Sequence, residues 1–136
     1  LSETEKIVLA EEINPLQKLE LFVQTTFHTI RYKDGLLFEF LFDDQHLHLV
    51  DKLSRQGKEL LMPLLLKIIE EGEQKKAFTV MNSRVALAFV GGIVNCLIDA
   101  IYEKLSTDLF EQHVKMAVVL IEKTVGLQEN SLHIHI

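Results

Sequence analysis

Between Ser83 and Tyr102 the chain reads SRVALAFVGGIVNCLIDAIY, with apolar side chains recurring on every side of a helical projection. At about 100° per residue, Val85, Phe89 and Ile93 fall on one side and Val90, Leu97 and Ile101 on the next. Leu87, Val94 and Ile98 close the circle. A helix that is apolar all round has to be covered all round. Its uncharged run, Val85 to Ile98, is shorter than the roughly 20 residues a bilayer crossing takes, and Arg84 and Asp99 bracket it. The pattern therefore predicts a helix with one face on the subunit's own core and another on a second copy of the chain.

Helical spacing organises the rest as well. Residues Ser2 to Ile13 read as a short helix, with Ser2 and Glu5 spaced as a capping box. Asn14-Pro15 ends it and opens the next, Leu16 to Tyr32, whose Leu16, Leu19, Phe22, Val23, Phe27 and Ile30 share one side. Lys33-Asp34-Gly35 reads as a turn and Leu36 to Phe42 as a short helix. From Gln45 to Glu71 a stripe of Leu49, Leu53, Leu60, Leu64 and Ile68 predicts a long helix, which Pro63 should kink or split and Gly72 should end. The loop that follows carries Phe78 and Val80, which should tuck back onto the bundle, and Asn82 or Ser83 caps the next helix. A last helix starts after Ser106, has Asp108 and Glu111 near its start, and stops at Gly126. Phe110, Val114, Ala117, Val118, Ile121 and Val125 form one of its faces and Met116, Val119 and Leu120 a second. The tail SLHIHI alternates like a strand but has no strand to pair with.

The class is all-α, an antiparallel helical bundle. Its last two long helices, joined by a short link, should pair with those of a second chain as a dimeric four-helix bundle. The expected interface residues are Phe89, Val90, Val94, Leu97, Ile101, Val114, Val118, Ile121 and Val125. Three segments follow: a helix end at 1–13, a helical dimerisation domain at 14–127, and a C-terminal tail at 128–136.

Composition narrows the role. The chain has 136 residues, 48% of them hydrophobic, with two prolines and six glycines, which describes one domain without linkers. A net charge of −6 and scattered basic residues argue against grip on a phosphate backbone. The single Cys96 excludes an internal disulfide and, among apolar neighbours, is expected to be a buried, inert thiol. With no charged-then-apolar leader, a cytoplasmic location and no membrane association are expected. The start at Leu1, directly in a helix-prone stretch, reads as a piece of a longer protein.

The segment MPLLLKIIEEGEQKKAFTVMNSRVALAFVGGIVNCLIDAIY carries a resemblance. In order it has Pro63, the apolar Ile68-Ile69, Gly72, a polar loop, Phe78, Asn82, then an apolar helix with Ala86, Ala88 and Gly91-Gly92. This is similar to the C-terminal ligand-binding and dimerisation domain of TetR-type transcriptional regulators, over about Leu16 to Leu127. The resemblance implies a homodimer, a small apolar or amphipathic ligand among the helices, and transcriptional regulation, as a repressor or an activator. Such regulators carry an N-terminal helix-turn-helix, to which nothing here corresponds. DNA binding is thus implied only for a longer parent chain, with Ser2 to Ile13 as the end of the linking helix.

Six of the ten aromatic residues fall between Phe22 and Phe42, the composition of a small-molecule pocket wall or of an ordinary core. The candidate ligand-binding residues are Phe27, His28, Phe38, Phe42, His46, Leu65, Asn95 and Asp99. Asn95 and Asp99 belong to an arc with Arg84, Ala88, Gly91 and Tyr102 that suits either a pocket or close helix packing. The pairs His46/His48 and His133/His135 supply too few ligands for zinc, so no metal and no cofactor are expected. Adjacent carboxylates at Asp43-Asp44 and Glu70-Glu71 sit at expected helix ends, and no nucleophile elbow or phosphate loop is present, so an enzyme is not expected. A ligand-free interaction domain and a carrier of apolar ligands are the alternative readings.

Overall fold

The computed structural model describes the backbone of residues 3–28 and 47–135, with side chains over 6–27, 59–101 and 103–135. Five helices follow one another in the described residues: α1 (Glu3–Leu9), α2 (Pro15–His28), α3 (Leu47–Gln74), α4 (Ser83–Tyr102) and α5 (Thr107–Thr124). Among the described residues there is no strand, and the class is all-α. The short helix expected over Leu36 to Phe42 lies outside the described residues.

Local chemistry sets most of the boundaries. Asn14 and Gln17 cap α2 reciprocally: Gln17 N donates to Asn14 Oδ1 at 2.8 Å, and Asn14 N donates to Gln17 Oε1 at 3.3 Å. Pro15 takes the first helical position, where no N–H is needed. Asn82 caps α4 by accepting from Arg84 N and Val85 N, and Ser106 caps α5 by accepting from Leu109 N. At the end of α5, Gly126 takes a φ of 71°, while Leu127 N donates to Glu122 O at 2.8 Å. That is the Schellman closure for which glycine is the natural residue.

Two boundaries depart from expectation. Pro63 does not split α3, which runs unbroken through it for 28 residues. The ring is on the exposed side, and the next turn is anchored by the fully buried Leu65, Ile68 and Ile69, which offsets the one lost backbone donor. Gly72 does not end α3 either. The helix continues to Gln74 and closes with Lys76 at φ 59°, as Ala77 N donates to Gly72 O at 2.8 Å. Gly72 is needed for space instead, because a Cβ there would overlap the ring of the buried Phe78. Gly72→Ala should therefore cost about 1–3 kcal/mol by overpacking, read as a lower urea midpoint. A variant of unchanged stability would contradict that packing.

One core joins all five helices. It takes Val8 from α1; Leu19, Phe22, Val23 and Phe27 from α2; and Leu65, Ile68 and Ile69 from α3. Val90, Val94 and Leu97 come from α4, and Ala117, Ile121 and Val125 from α5. The most extensive helix pairing is α4 with α5, an antiparallel hairpin dictated by its short link, followed by α3 with α4. At that second contact a Cβ on Gly91 would lie 3.0 Å from the Met62 side chain, so glycine lets the two helices approach.

The tail packs as an extended strap. Leu132 is buried in the core and Ile134 packs against it, while His133 and His135 face outward, the alternation the sequence predicts. Two carboxylates grip successive backbone amides: Leu132 N donates to Glu122 Oε2 at 2.9 Å, and His133 N donates to Glu20 Oε2. Those carboxylates belong to α5 and α2, so the strap ties the last helix to the second. Leu132→Ala should cost about 2 kcal/mol in a urea titration; a loss near zero would mean that the strap is not seated.

Candidate functional site

The hairpin of α4 and α5 presents the feature least explained by a single subunit. On α4, the buried Ala86, Val90, Val94, Leu97 and Ala100 share one side, turned toward α3 and α5. About half a turn away lie Val85, Ala88, Phe89, Gly92 and Cys96, all exposed and all uncharged. On α5 the buried Ala117, Ile121 and Val125 are opposed in the same way by Leu109, Met116, Val119 and Leu120. Phe89 is 65% exposed and Met116 60%. Because the two helices are packed side by side, their outer stripes give the hairpin an open, mainly apolar side, interrupted by Asp99, Gln112 and Lys123.

Most of the residues expected at an interface are turned toward the subunit's own core. Val90, Val94, Leu97, Ile121 and Val125 are consumed by the subunit's own core and offer nothing to a partner. Ile101, Val114 and Val118 are half-buried and packed against that core. Of the expected set only Phe89 lies on the open face. The exposed apolar residues beside Phe89 are Val85, Gly92, Cys96, Leu109, Met116, Val119 and Leu120, about half a turn round from the buried set. Cys96 is exposed, not buried as its apolar neighbours suggest, because those neighbours surround the helix without marking its inner side.

Four of the candidate ligand residues have described side chains, and these four do not share one site. Phe27 and Leu65 are fully buried members of the common core. Asn95 is half-buried and Asp99 exposed, on the other side of α4 from the core. The side chain of His28, and all of Phe38, Phe42 and His46, lie outside the described residues.

A polar cluster that the sequence reading did not single out lies where α1, α2 and α3 meet. Lys18 is 3% exposed, and its Nζ donates to Val8 O at 2.8 Å and to Glu71 Oε2 at 2.6 Å. Lys75 Nζ donates to the other oxygen of Glu71 at 2.8 Å. Burial pushes the Glu71 carboxyl up, but hydrogen bonds and charge from Lys18 and Lys75 outweigh it and hold the group below its ordinary value of 4.5. The signal in the sequence is register: Lys18 falls four residues before Phe22 and three after Pro15, on the buried side of α2. A lysine in core register needs a buried partner.

Among the described residues, Ser83–Ile101 is long and apolar enough to cross a membrane by length and composition, with 33% of its most apolar window buried. The helix extends past the uncharged run on both sides, taking in Arg84 and Asp99. No family model, no curated protein and no solved structure matches the chain.

Proposed function

We propose that the chain is the dimerisation and effector-sensing domain of a TetR-like transcriptional regulator, whose DNA-binding domain belongs to a longer parent chain. The observation that carries the dimer is the apolar face of the α4–α5 hairpin, open on the side away from the core. The resemblance in residues 62–102 supports the regulatory part.

The mechanism is a population shift between two spacings of the DNA-binding domains. An apolar or amphipathic effector lodged among the helices displaces one helix relative to another. Lys18 supports such a coupling, because it ties the backbone of α1 at Val8 to α2 and to Glu71 of α3. Movement of α2 or α3 is then passed to α1, the end of the linking helix in this reading.

The test is to take the parent chain and select binding sites from random duplex DNA. A palindromic site, released by a small molecule that co-purifies with the protein, is the expected result. A parent without sequence-specific DNA binding would sink the regulator reading and leave the second one, a helical dimerisation module without a ligand. That second reading is favoured by Phe27 and Leu65, which serve as ordinary core residues.

A further inference from the structure

The open face of the hairpin is charged at its two ends, and the signs decide how a partner fits. On α4, Arg84 and Asp99 are exposed and fifteen residues apart; on α5, Asp108 and Lys123 are exposed and also fifteen apart. Each pair therefore spans about 22 Å of helix. Because the hairpin is antiparallel with a short link, Arg84 lies level with Lys123 at one end, and Asp99 lies level with Asp108 at the other. Asp99 and Lys123 project within the apolar stripes, while Arg84 and Asp108 flank them by about a quarter turn. Lys115 is also exposed, at mid-height and about a quarter turn off the stripe. The face thus has a basic end, an apolar middle and an acidic end, where Glu103 and Glu111 add to the charge and Lys104, in the link, offsets part of it.

From this we infer that the partner is a second copy docked with α4 against α4 and α5 against α5, both antiparallel, about a two-fold axis passing near Gly92 and Met116. The inference rests on the dimer reading above and adds its register. A two-fold axis lying in the contact plane can run across the helices or along them. Running across, it sets Arg84 against Asp99 of the second copy and Asp108 against Lys123, so that every end pair is opposite in sign. Running along, it stacks α4 on α5 and sets Arg84 beside Lys123 and Asp99 beside Asp108, like on like, which electrostatic complementarity disfavours. The residues at the centre suit the first arrangement. Gly92 has open space around the position of an added Cβ, and Ala88 and Cys96 lie one turn to either side, so two α4 helices can approach closely there. A bilayer fits the face less well, since burying its full length would carry Asp99, Gln112 and Lys123 into the hydrocarbon.

Sedimentation at low salt, combined with cross-linking, tests the register. Asp99→Arg should raise the dimer dissociation constant roughly tenfold, since two end pairs turn from attraction to repulsion. Adding Arg84→Asp should return it to within about threefold of the parent value. In a Cys96→Ala background, Gly92→Cys should oxidise to a covalent dimer, because the two positions meet at the axis. A dimer that tightens on Asp99→Arg, or that gives no cross-link through position 92, overturns this register and leaves the dimer reading standing. A chain that is monomeric at all concentrations, or that floats with phosphatidylcholine vesicles as a monomer, overturns both.

Discussion

Phe89→Glu is expected to turn the chain into a monomer while leaving its helices folded. Phe89 is the most exposed large side chain on the outer stripe of α4, so the subunit's core does not depend on it. In a two-fold dimer the same aromatic is lost twice, and a buried aromatic anchor is worth about 2 kcal/mol or more on truncation. Two anchors together correspond to a dissociation constant raised roughly a thousandfold, before the cost of burying two carboxylates is counted. Val90→Glu, one residue along, is expected to behave in the opposite way. Val90 is fully buried inside the subunit, so a carboxylate there should abolish the cooperative unfolding transition altogether. Circular dichroism with sedimentation on the two variants separates inner face from outer; the same outcome for both would contradict the placement of α4.

Glu71→Ala should destabilise the subunit by about 3 kcal/mol. It leaves Lys18, at 3% exposure, with only the Val8 carbonyl as partner, and an unpaired buried ammonium is costly. Lys18→Met should cost less, since Glu71 is partly exposed and keeps Lys75. The double variant Lys18→Met/Glu71→Leu should come close to the parent, because replacing a buried pair by apolar groups removes both desolvation penalties. Equal losses in Glu71→Ala and in the double variant would show that the pair is not coupled as described.

The same pair gives a pH dependence of defined sign. The carboxyl of Glu71 titrates below its ordinary value of 4.5 in the folded chain. Its contribution is therefore complete above that value and is lost as pH falls through the lower folded one. The urea midpoint of the parent should drop more steeply between about pH 5 and pH 3 than that of the double variant, in which this group is absent.

Segments governed by local chemistry were legible in the sequence. Asn14-Pro15, Asn82, Ser106 and Gly126 satisfy or release backbone groups at helix ends, and each stands at the end it announces. Gly72 and Pro63 look like signals of the same kind, but their roles depend on neighbours far along the chain. Phe78 occupies the space that Gly72 leaves, and the buried side chains after Pro63 hold α3 together. The outer and inner faces of α4 were illegible for a physical reason. Hydrophobic periodicity locates a core only when the opposite face is polar, and here Val85, Phe89 and Cys96 are as apolar as Val90, Val94 and Leu97. On α5 the spacing shows Met116, Val119 and Leu120 as a second apolar face, but it does not say which of the two faces is the inner one. Lys18 was legible through its register alone, and its partner Glu71 lies 53 residues away.

A second copy of the chain is proposed to cover the outer face of α4 and α5. Sedimentation equilibrium of the unaltered chain, from sub-micromolar to about a hundred micromolar, tests it most directly. The expected result is a species of about 31 kDa, twice the 15.6 kDa of one chain, that persists at micromolar concentration. A single species at 15.6 kDa over that whole range would contradict it.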